Sequence, residues 1–240
     1  MGNNKSFLKL SSVDITSKLF VRIPTVGEIL DNEQSYYSII SSLTATPFQY
    51  MVQLDDLEID FTRITDYQLF MMLLPNFTQG DTSIIFGNID LSDIRVRPNN
   101  QNDTQILYSP KNDIIIDEFI YIQLVDALRK INNIEKFKGK PGNEAAKKYL
   151  IDKERKRQKR RANKPYESYL EKLVIALVNS PEFKYNYEEV MDLSIYKFNQ
   201  SFKQIQTRIT FDKTMIGVYS GTVDTSKLND QSCLSWLQIK

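Results

Sequence analysis

"DIRVRPNNQNDTQILYSPKNDIIIDEFIYIQLVDALRKI", residues 93–131, changes its pattern partway along. Up to Asp117, short apolar runs alternate with polar segments at 99–103 and 109–113, which predicts strands joined by turns. After Asp117, a residue type that often caps helix N-termini, apolar residues recur at helical spacing. These residues are Phe119, Ile122, Leu124 and Leu128. Strands followed directly by a helix indicate an α+β fold.

Toward the N-terminus the same mixture continues. Residues 6–23 predict a β-hairpin, in which the apolar-rich runs FLKL and KLFVRI flank the polar SSVDITS. Helices are predicted from Gln34 to Leu43 and over YQLFMMLLPN, residues 67–76, which is almost wholly apolar and therefore expected to be buried. The run from Thr82 to Phe86 predicts a further strand.

Toward the C-terminus the sequence predicts helices. Asn143 is the N-cap of a helix over 144–161, and Pro165 stands where a second helix can begin. Ser194 is the N-cap of the last long helix, along which apolar residues recur every three or four positions. These residues are Ile195, Phe198, Phe202, Ile205 and Ile209.

The patterns together predict how the chain is organised. We expect an α+β fold in which an N-terminal unit of mixed hairpins and helices is followed by a mainly helical C-terminal third. Pro141 and Gly142 mark the most linker-like passage. We therefore divide the chain into an α+β domain over 1–135, a linker and basic helix over 136–164, and a helical domain over 165–240.

The residue types restrict the chemistry. The 240 residues are ample for a core, but they include no histidine and only one cysteine, Cys233. Histidine is the commonest general base and metal ligand, so its absence argues against a zinc site and an imidazole-activated thiol. The sequence contains no glycine-rich phosphate-binding motif and no apolar run near the ~20 residues that cross a bilayer. We expect no catalytic residue, cofactor, metal or membrane insertion.

Positive charge is concentrated in one segment. Between Lys147 and Lys164 there are ten Lys or Arg and two acidic residues, whereas the remainder holds 21 basic and 28 acidic residues. Residues 152–161 contain no apolar side chain, and like charges one turn apart repel, so we expect this segment to project and to attract an anionic partner. The expected contact residues are Lys153, Arg155, Lys156, Arg157, Lys159, Arg160 and Arg161.

Three interpretations of the basic segment remain open. It is a solvated spur, or it docks on an acidic protein surface such as the body of another copy, or it holds nucleic acid. Because no aromatic residue lies between Tyr149 and Tyr166 for a base to stack on, a nucleic-acid contact would be limited to phosphates.

Two other groups of residues are candidates for contacts. The run DDLEID, residues 55–60, carries four carboxylates and is typical of a solvated turn rather than a catalytic pair. The apolar side chains of the last helix, together with the single tryptophan, lie either in the core or at an interface with a partner. The candidate interface residues are Phe198, Phe202, Ile205 and Trp236.

One long passage, ALVNSPEFKYNYEEVMDLSIYKFNQSFKQIQTRI at 176–209, resembles helical segments in phage tail-module proteins. The residues that carry this resemblance are Tyr187, Val190, Met191, Asp192, Leu193, Tyr196 and Phe198. Shorter passages are also similar to uncharacterised proteins of siphophage tail or virion gene clusters from low-GC Gram-positive hosts. These passages are TPFQYMVQLDDLEIDF, DYQLFMMLLPN, SIIFGNIDLS and MIGVYSGTVD.

The resemblance implies a non-enzymatic role in phage tail assembly or in the virion structure. The expected partners are tail-tube, tape-measure or neighbouring virion subunits, or a second copy in a homo-oligomer, met in the host cytoplasm during assembly or in the virion. One form of this role is an assembly chaperone. Because the basic helix is not expected in such a protein, the alternative is a nucleic-acid-associated factor that binds the phosphate backbone through residues 147–164.

Overall fold

A computed structural model describes residues 6–99, 104–228 and 230–237. Helices contain 57% of the residues and strands 9%. The small sheets lie toward the N-terminus, and helices follow toward the C-terminus. The predicted α+β class is therefore confirmed, with helices as the larger part.

Two small antiparallel sheets hold the strands of the described residues. In the first sheet, β1 (Ser12–Asp14) pairs with β2 (Phe20–Arg22). The second sheet has the order β3–β4–β5, and its strands are β3 (Arg95–Pro98), β4 (Gln105–Ser109) and β5 (Ile114–Ile116). The β unit predicted over 93–117 is present, although residues 100–103 of its first predicted turn lie outside the described residues.

The N-terminal hairpin differs from the prediction in its first strand. FLKL forms a short 3-10 turn, Phe7–Lys9, in which the Ser6 hydroxyl accepts a hydrogen bond from the Leu8 N–H. The more polar segment Ser12–Asp14 forms the strand instead, because Thr16 closes the hairpin by accepting the N–H of Leu19 at 3.0 Å.

Ten α-helices lie within the described residues. They are α1 (Val26–Leu30), α2 (Glu33–Leu43), α3 (Met51–Asp56), α4 (Asp66–Leu73), α5 (Gln79–Phe86), α6 (Glu118–Asn132), α7 (Glu144–Ala162), α8 (Tyr169–Val178), α9 (Tyr187–Met191) and α10 (Ile195–Tyr219). The predicted N-caps Asp117, Asn143 and Ser194 each accept a backbone N–H at the start of α6, α7 and α10.

The strand predicted from Thr82 to Phe86 is wrong, because this segment belongs to α5. Thr78 caps the helix: its hydroxyl accepts the Asp81 N–H at 3.3 Å, and the Asp81 carboxylate accepts the Thr78 N–H at 2.9 Å. Gly87, with a φ of 62°, follows its last residue. This reciprocal capping box starts the helix before the β-favouring residues are reached, and the core then covers Ile85 and Phe86.

The buried face of α6 also differs from the prediction. Phe119 and Ile122 are exposed, while Tyr121 turns inward and packs against Phe70 and Tyr67, with ring centroids 4.8 Å and 5.3 Å away. The buried residues of this helix include Tyr121, Leu124, Val125 and Leu128. Because apolar residues occur all around the first two turns, their spacing did not determine which face meets the core.

The C-terminal helices share one hydrophobic core with the N-terminal unit. Leu170, Val174 and Phe198 belong to the same buried cluster as Leu19 and Phe70. The domain boundaries given above stay a prediction, since shared packing does not test whether each part folds alone.

Two backbone and side-chain links fix the C-terminal helices on the N-terminal unit. The carboxylate of Glu33, which is 5% exposed, accepts the N–H groups of Tyr169 at 3.1 Å and Leu170 at 2.8 Å, and the Ser168 hydroxyl. The Ile195 N–H donates to the carbonyl of Pro24 at 2.8 Å, and the Val26 N–H to that of Leu193 at 2.9 Å. A buried carboxylate thus stands at the N-terminus of α8, where the helix dipole favours negative charge.

We expect Glu33→Ala to destabilise the protein by about 2–4 kcal/mol, because it leaves buried N–H groups at the start of α8 without an acceptor. Urea unfolding measures the loss. The control is Gln34→Ala on the exposed side of α2, which we expect to change the free energy of unfolding by less than about 0.5 kcal/mol. Equal losses in both variants would show that Glu33 is not a link between the two parts.

Candidate interaction surfaces

The basic helix α7 is attached to the body along its first half. Asn143 caps it by accepting the Ala146 N–H at 2.8 Å. Leu150 and Ile151 then pack into a second, smaller apolar cluster with Leu54 and Phe61. Tyr149 is exposed, because the contact with α3 lies along the Leu150 and Ile151 side of the helix.

The acidic run 55–60 is the partner of this helix within the same chain. Arg155 donates to the Asp55 carboxylate at 2.7 Å and to that of Asp56 at 2.5 Å. Lys147 donates to the Asp60 carboxylate at 2.8 Å. Three of the four carboxylates of 55–60 therefore pair with the basic helix, while Asp55, Asp56 and Glu58 stay exposed to solvent.

The Lys147 ammonium group, with further hydrogen bonds from Thr62, lowers the pKa of Asp60 well below its ordinary value. The same hydrogen bond raises the pKa of Lys147. A carboxyl whose folded-state pKa is depressed stabilises the fold above its ordinary pKa, and this contribution is lost as the pH falls toward the depressed value. Attachment of α7 through Lys147 therefore persists across the neutral range.

The far end of α7 keeps its positive charge exposed. Arg157 pairs with Glu154 one turn earlier at 3.2 Å, and the Lys153 amine lies 5.9 Å from the centre of the Tyr149 ring. The remaining four exposed cations have no ion pair within the described part of the chain. They are Lys156, Lys159, Arg160 and Arg161. We call these four residues the basic end.

The long helix α10 leaves the core about halfway along. Ile195 and Phe198 are fully buried, and Phe202 and Ile205 are half-buried against the core. Phe198 therefore faces the protein interior, whereas Phe202 and Ile205 lie at its edge. The helix has 25 residues, ten more than the predicted run to Ile209, which corresponds to a length of about 38 Å.

The apolar spacing of α10 continues beyond the core. Ile209 is 42% exposed, Ile216 68% and Tyr219 84%. Together with Ile195, Phe198, Phe202 and Ile205 they follow a strict alternation of three and four residues, with Asp212 at the one polar position. We call Ile209, Ile216 and Tyr219 the distal seam.

The C-terminal segment turns back along a different side of α10. The Thr222 N–H donates to the Gly217 carbonyl at 2.9 Å, and the Gln204 amide donates to the Trp236 carbonyl at 2.7 Å. A Cβ at Gly217 would lie 2.6 Å from a methyl of Val223, so glycine permits this close return. The half-buried positions opposite the seam are Thr207, Phe211, Thr214 and Val218. Trp236 itself stays half exposed, and the three residues of the distal seam are exposed.

Within the described ranges, every helix is too short or too polar to span a bilayer. Among the same residues, no three Asp, Glu or Cys side chains come together as they would around a metal ion. Cys233 lies half-buried in the returning segment, and its thiol lies 3.1 Å from the Asp230 carbonyl.

Comparison with protein-family models finds a match in the C-terminal third of the chain. A family model described as YomV second domain matches residues 158–239, about a third of the chain, and YomV is a phage-derived Bacillus gene product. The matched range begins inside the basic end, after Lys156, and runs through α10 and the returning segment. Neither the curated proteins nor the solved structures contain a significant match to this chain. The similarity is consistent with a phage protein, as the resemblance implied.

We expect Arg155→Ala to loosen α7 from the body. Exposed ion pairs each contribute little, so amide exchange of residues 153–161 should accelerate by only about two- to fivefold at low salt. Hydrogen exchange followed by mass spectrometry measures the exchange rates. Because salt screens exposed ion pairs, 0.5 M NaCl should reduce the difference between the variant and the wild type.

The matched control is Arg160→Ala, because it removes an unpaired cation from the same helix. We expect this variant to exchange at the wild-type rate. If the two variants exchange alike, the ion pairs with Asp55 and Asp56 do not hold the helix.

Proposed function

We propose that the protein assembles or builds a phage particle through protein–protein contacts, without catalysis, and that the distal seam is its contact surface. The observation that carries this proposal is the apolar stripe of α10, which runs out of the core and stays exposed. The YomV second domain match over the same helix supports the phage setting.

The physical argument rests on the apolar area that the seam leaves in water. Ile209, Ile216 and Tyr219 lie on one side of a helix, and the returning segment covers a different side. Burying an aliphatic or aromatic side chain of this size stabilises an association by about 1.5–3 kcal/mol. Three such residues at helical spacing suit a partner helix, or a groove that receives one.

The proposed partners are the tail-tube, tape-measure or neighbouring virion subunits of the same phage. A projecting helix can hold such a subunit before it enters the particle, as an assembly chaperone would, or remain beside it as a structural contact. The complete lack of histidine in the chain supports a role in contact and not in acid–base chemistry.

We expect the double substitution Ile209→Glu and Ile216→Glu to abolish partner binding while leaving the fold intact. Two carboxylates would have to be desolvated at the interface, which lowers affinity by at least about a hundredfold. The test is co-expression of the tagged chain with each tail-tube and tape-measure subunit of its phage, followed by affinity capture and circular dichroism.

The matched control is Thr210→Glu, because Thr210 is exposed on the same helix but lies about 100° away from Ile209. This variant should retain the partner that the wild type retains. Undiminished retention by the double variant would rule out the distal seam as the contact surface.

A second candidate function rests on a separate observation, the basic end of α7. Its four unpaired cations lie within two turns of one helix, a spacing that suits a phosphate backbone. The acidic residues Asp55 and Asp56 are already paired with Arg155 and do not neutralise these cations. We infer that any nucleic-acid association of this helix is made here and not through Arg155.

We expect replacement of Lys156, Lys159, Arg160 and Arg161 by Glu to remove such binding. For the wild type, the logarithm of the DNA affinity should fall with the logarithm of salt by about 0.9 per phosphate contacted. Fluorescence anisotropy of a labelled duplex measures both quantities.

The control reverses four exposed lysines elsewhere, namely Lys9, Lys184, Lys197 and Lys213. If the control variant loses as much affinity as the basic-end variant, the effect is one of net charge alone. If the wild-type protein does not bind the labelled duplex at 20 mM salt, nucleic-acid binding is eliminated as the second candidate function.

A further inference from the structure

A pocket of about 680 Å³ lies between the start of α7 and the segments that precede α3 and α4. This volume is within the range of small-molecule sites. Its walls combine two kinds of group that the sequence places far apart. They are the phenyl rings of Phe48, Phe61 and Phe137, and the amines of Lys136, Lys138, Lys140 and Lys147.

The three rings form one connected aromatic wall. Phe48 packs edge-on against Phe61 at 5.8 Å between centroids, and it lies 4.8 Å from Phe137 at an angle of 36°. Phe61 is buried and anchors the wall, whereas Phe137 is 44% exposed. A Cβ at Gly139 would lie 2.3 Å from the Phe137 ring, so glycine at this position lets the ring fold over its own segment.

The lysines of the pocket fall into two classes. Lys136 and Lys147 are held by ion pairs, with Asp66 at 2.6 Å and with Asp60 at 2.8 Å. Lys138 and Lys140 flank Gly139 and have no ion pair within the described part of the chain. Two cations next to an accessible ring are therefore available to an anion.

The start of α7 adds to this positive potential. Asn143 and Glu144 line the pocket, and Glu144 is the first of the 19 residues of α7. The first-turn N–H groups of a helix of this length attract anions. Glu144 opposes this attraction, although its carboxylate lies 3.5 Å from the Lys147 amine, which offsets part of its charge.

We propose that this pocket binds a nucleotide, with the base packed on Phe137 and Phe48 and the phosphate held by Lys138 and Lys140. A simple anion would leave the aromatic wall unused, and an uncharged aromatic compound would leave the two lysines unused. The same nucleotide chemistry comes from two sources, a free mononucleotide or one unit of a single strand. The site is separate from the distal seam and supplies the aromatic stacking that the basic end of α7 lacks.

The test is titration calorimetry of the full chain with three probes at 50 mM salt. The probes are adenosine monophosphate, ribose 5-phosphate and a ten-nucleotide oligoadenylate. We expect the two base-containing probes to bind at least about tenfold more tightly than ribose 5-phosphate, because stacking on the rings strengthens binding. Tighter binding of the monophosphate identifies a free nucleotide as the ligand, and tighter binding of the oligonucleotide identifies a strand.

The variants separate the two halves of the site. Phe137→Ala should weaken nucleotide binding about tenfold and leave ribose 5-phosphate unchanged, whereas joint Lys138→Glu and Lys140→Glu should weaken all three probes. Phe119→Ala, an exposed phenylalanine on α6 away from this pocket, and Lys197→Glu are the matched controls and should bind as wild type.

Three results would overturn the proposal. They are no binding of any probe at 1 mM, equal binding of ribose 5-phosphate and the monophosphate, and nucleotide binding that survives both pocket variants but is lost with the basic end. Circular dichroism of each variant shows that its fold is retained, which is expected because Phe137, Lys138 and Lys140 all lie exposed outside the helices.

Discussion

The buried carboxylate of Glu33 is the contact on which the arrangement of the molecule depends. It belongs to α2, yet its hydrogen bonds go to residues at the start of α8, more than 130 residues further along the chain. A charge buried without a lysine or arginine partner is costly unless donors surround it, and the helix N-terminus supplies them. Partial burial raises the pKa of the neighbouring Tyr166, and its hydrogen bond to Glu33 raises this pKa further. With α8 fixed, α9 and α10 follow, and the distal seam is placed outside the body.

The basic segment has two roles within one helix. Its first half is attached to the body by Ile151 and by the ion pairs of Lys147 and Arg155. The acidic residues of the body therefore help to hold this helix in place. Its basic end carries charge that no described acidic group neutralises. A net charge of +1 for the whole chain conceals this separation, because the compensating carboxylates lie on other elements. The attached half also forms one wall of the aromatic and cationic pocket.

Much of the local structure was predictable. Capping residues such as Asp117 and Asn143 act on N–H groups three residues away, so their effect is visible in the sequence. The apolar spacing of α10 was predictable for the same reason as far as Ile209, whereas Ile216 and Tyr219 of the distal seam lie beyond the predicted run. The misassigned strand at Thr82–Phe86 shows the limit, because β-favouring residues there were overridden by the capping box at Thr78. The exposed Phe119 and Ile122 show a second limit, since apolar spacing does not choose between two apolar faces.

The sequence by itself therefore determined the α+β class, most helix starts, the position of the charged segment and the periodicity of the last helix. Only the tertiary structure decided which groups meet: Arg155 with Asp55, Glu33 with Leu170, and Phe137 with Phe48. The physical reason is the sequence separation over which each kind of interaction acts. Helix caps and periodicity act over a few residues, whereas these pairs are separated by about 90 to 140 residues and meet only after the intervening elements have packed.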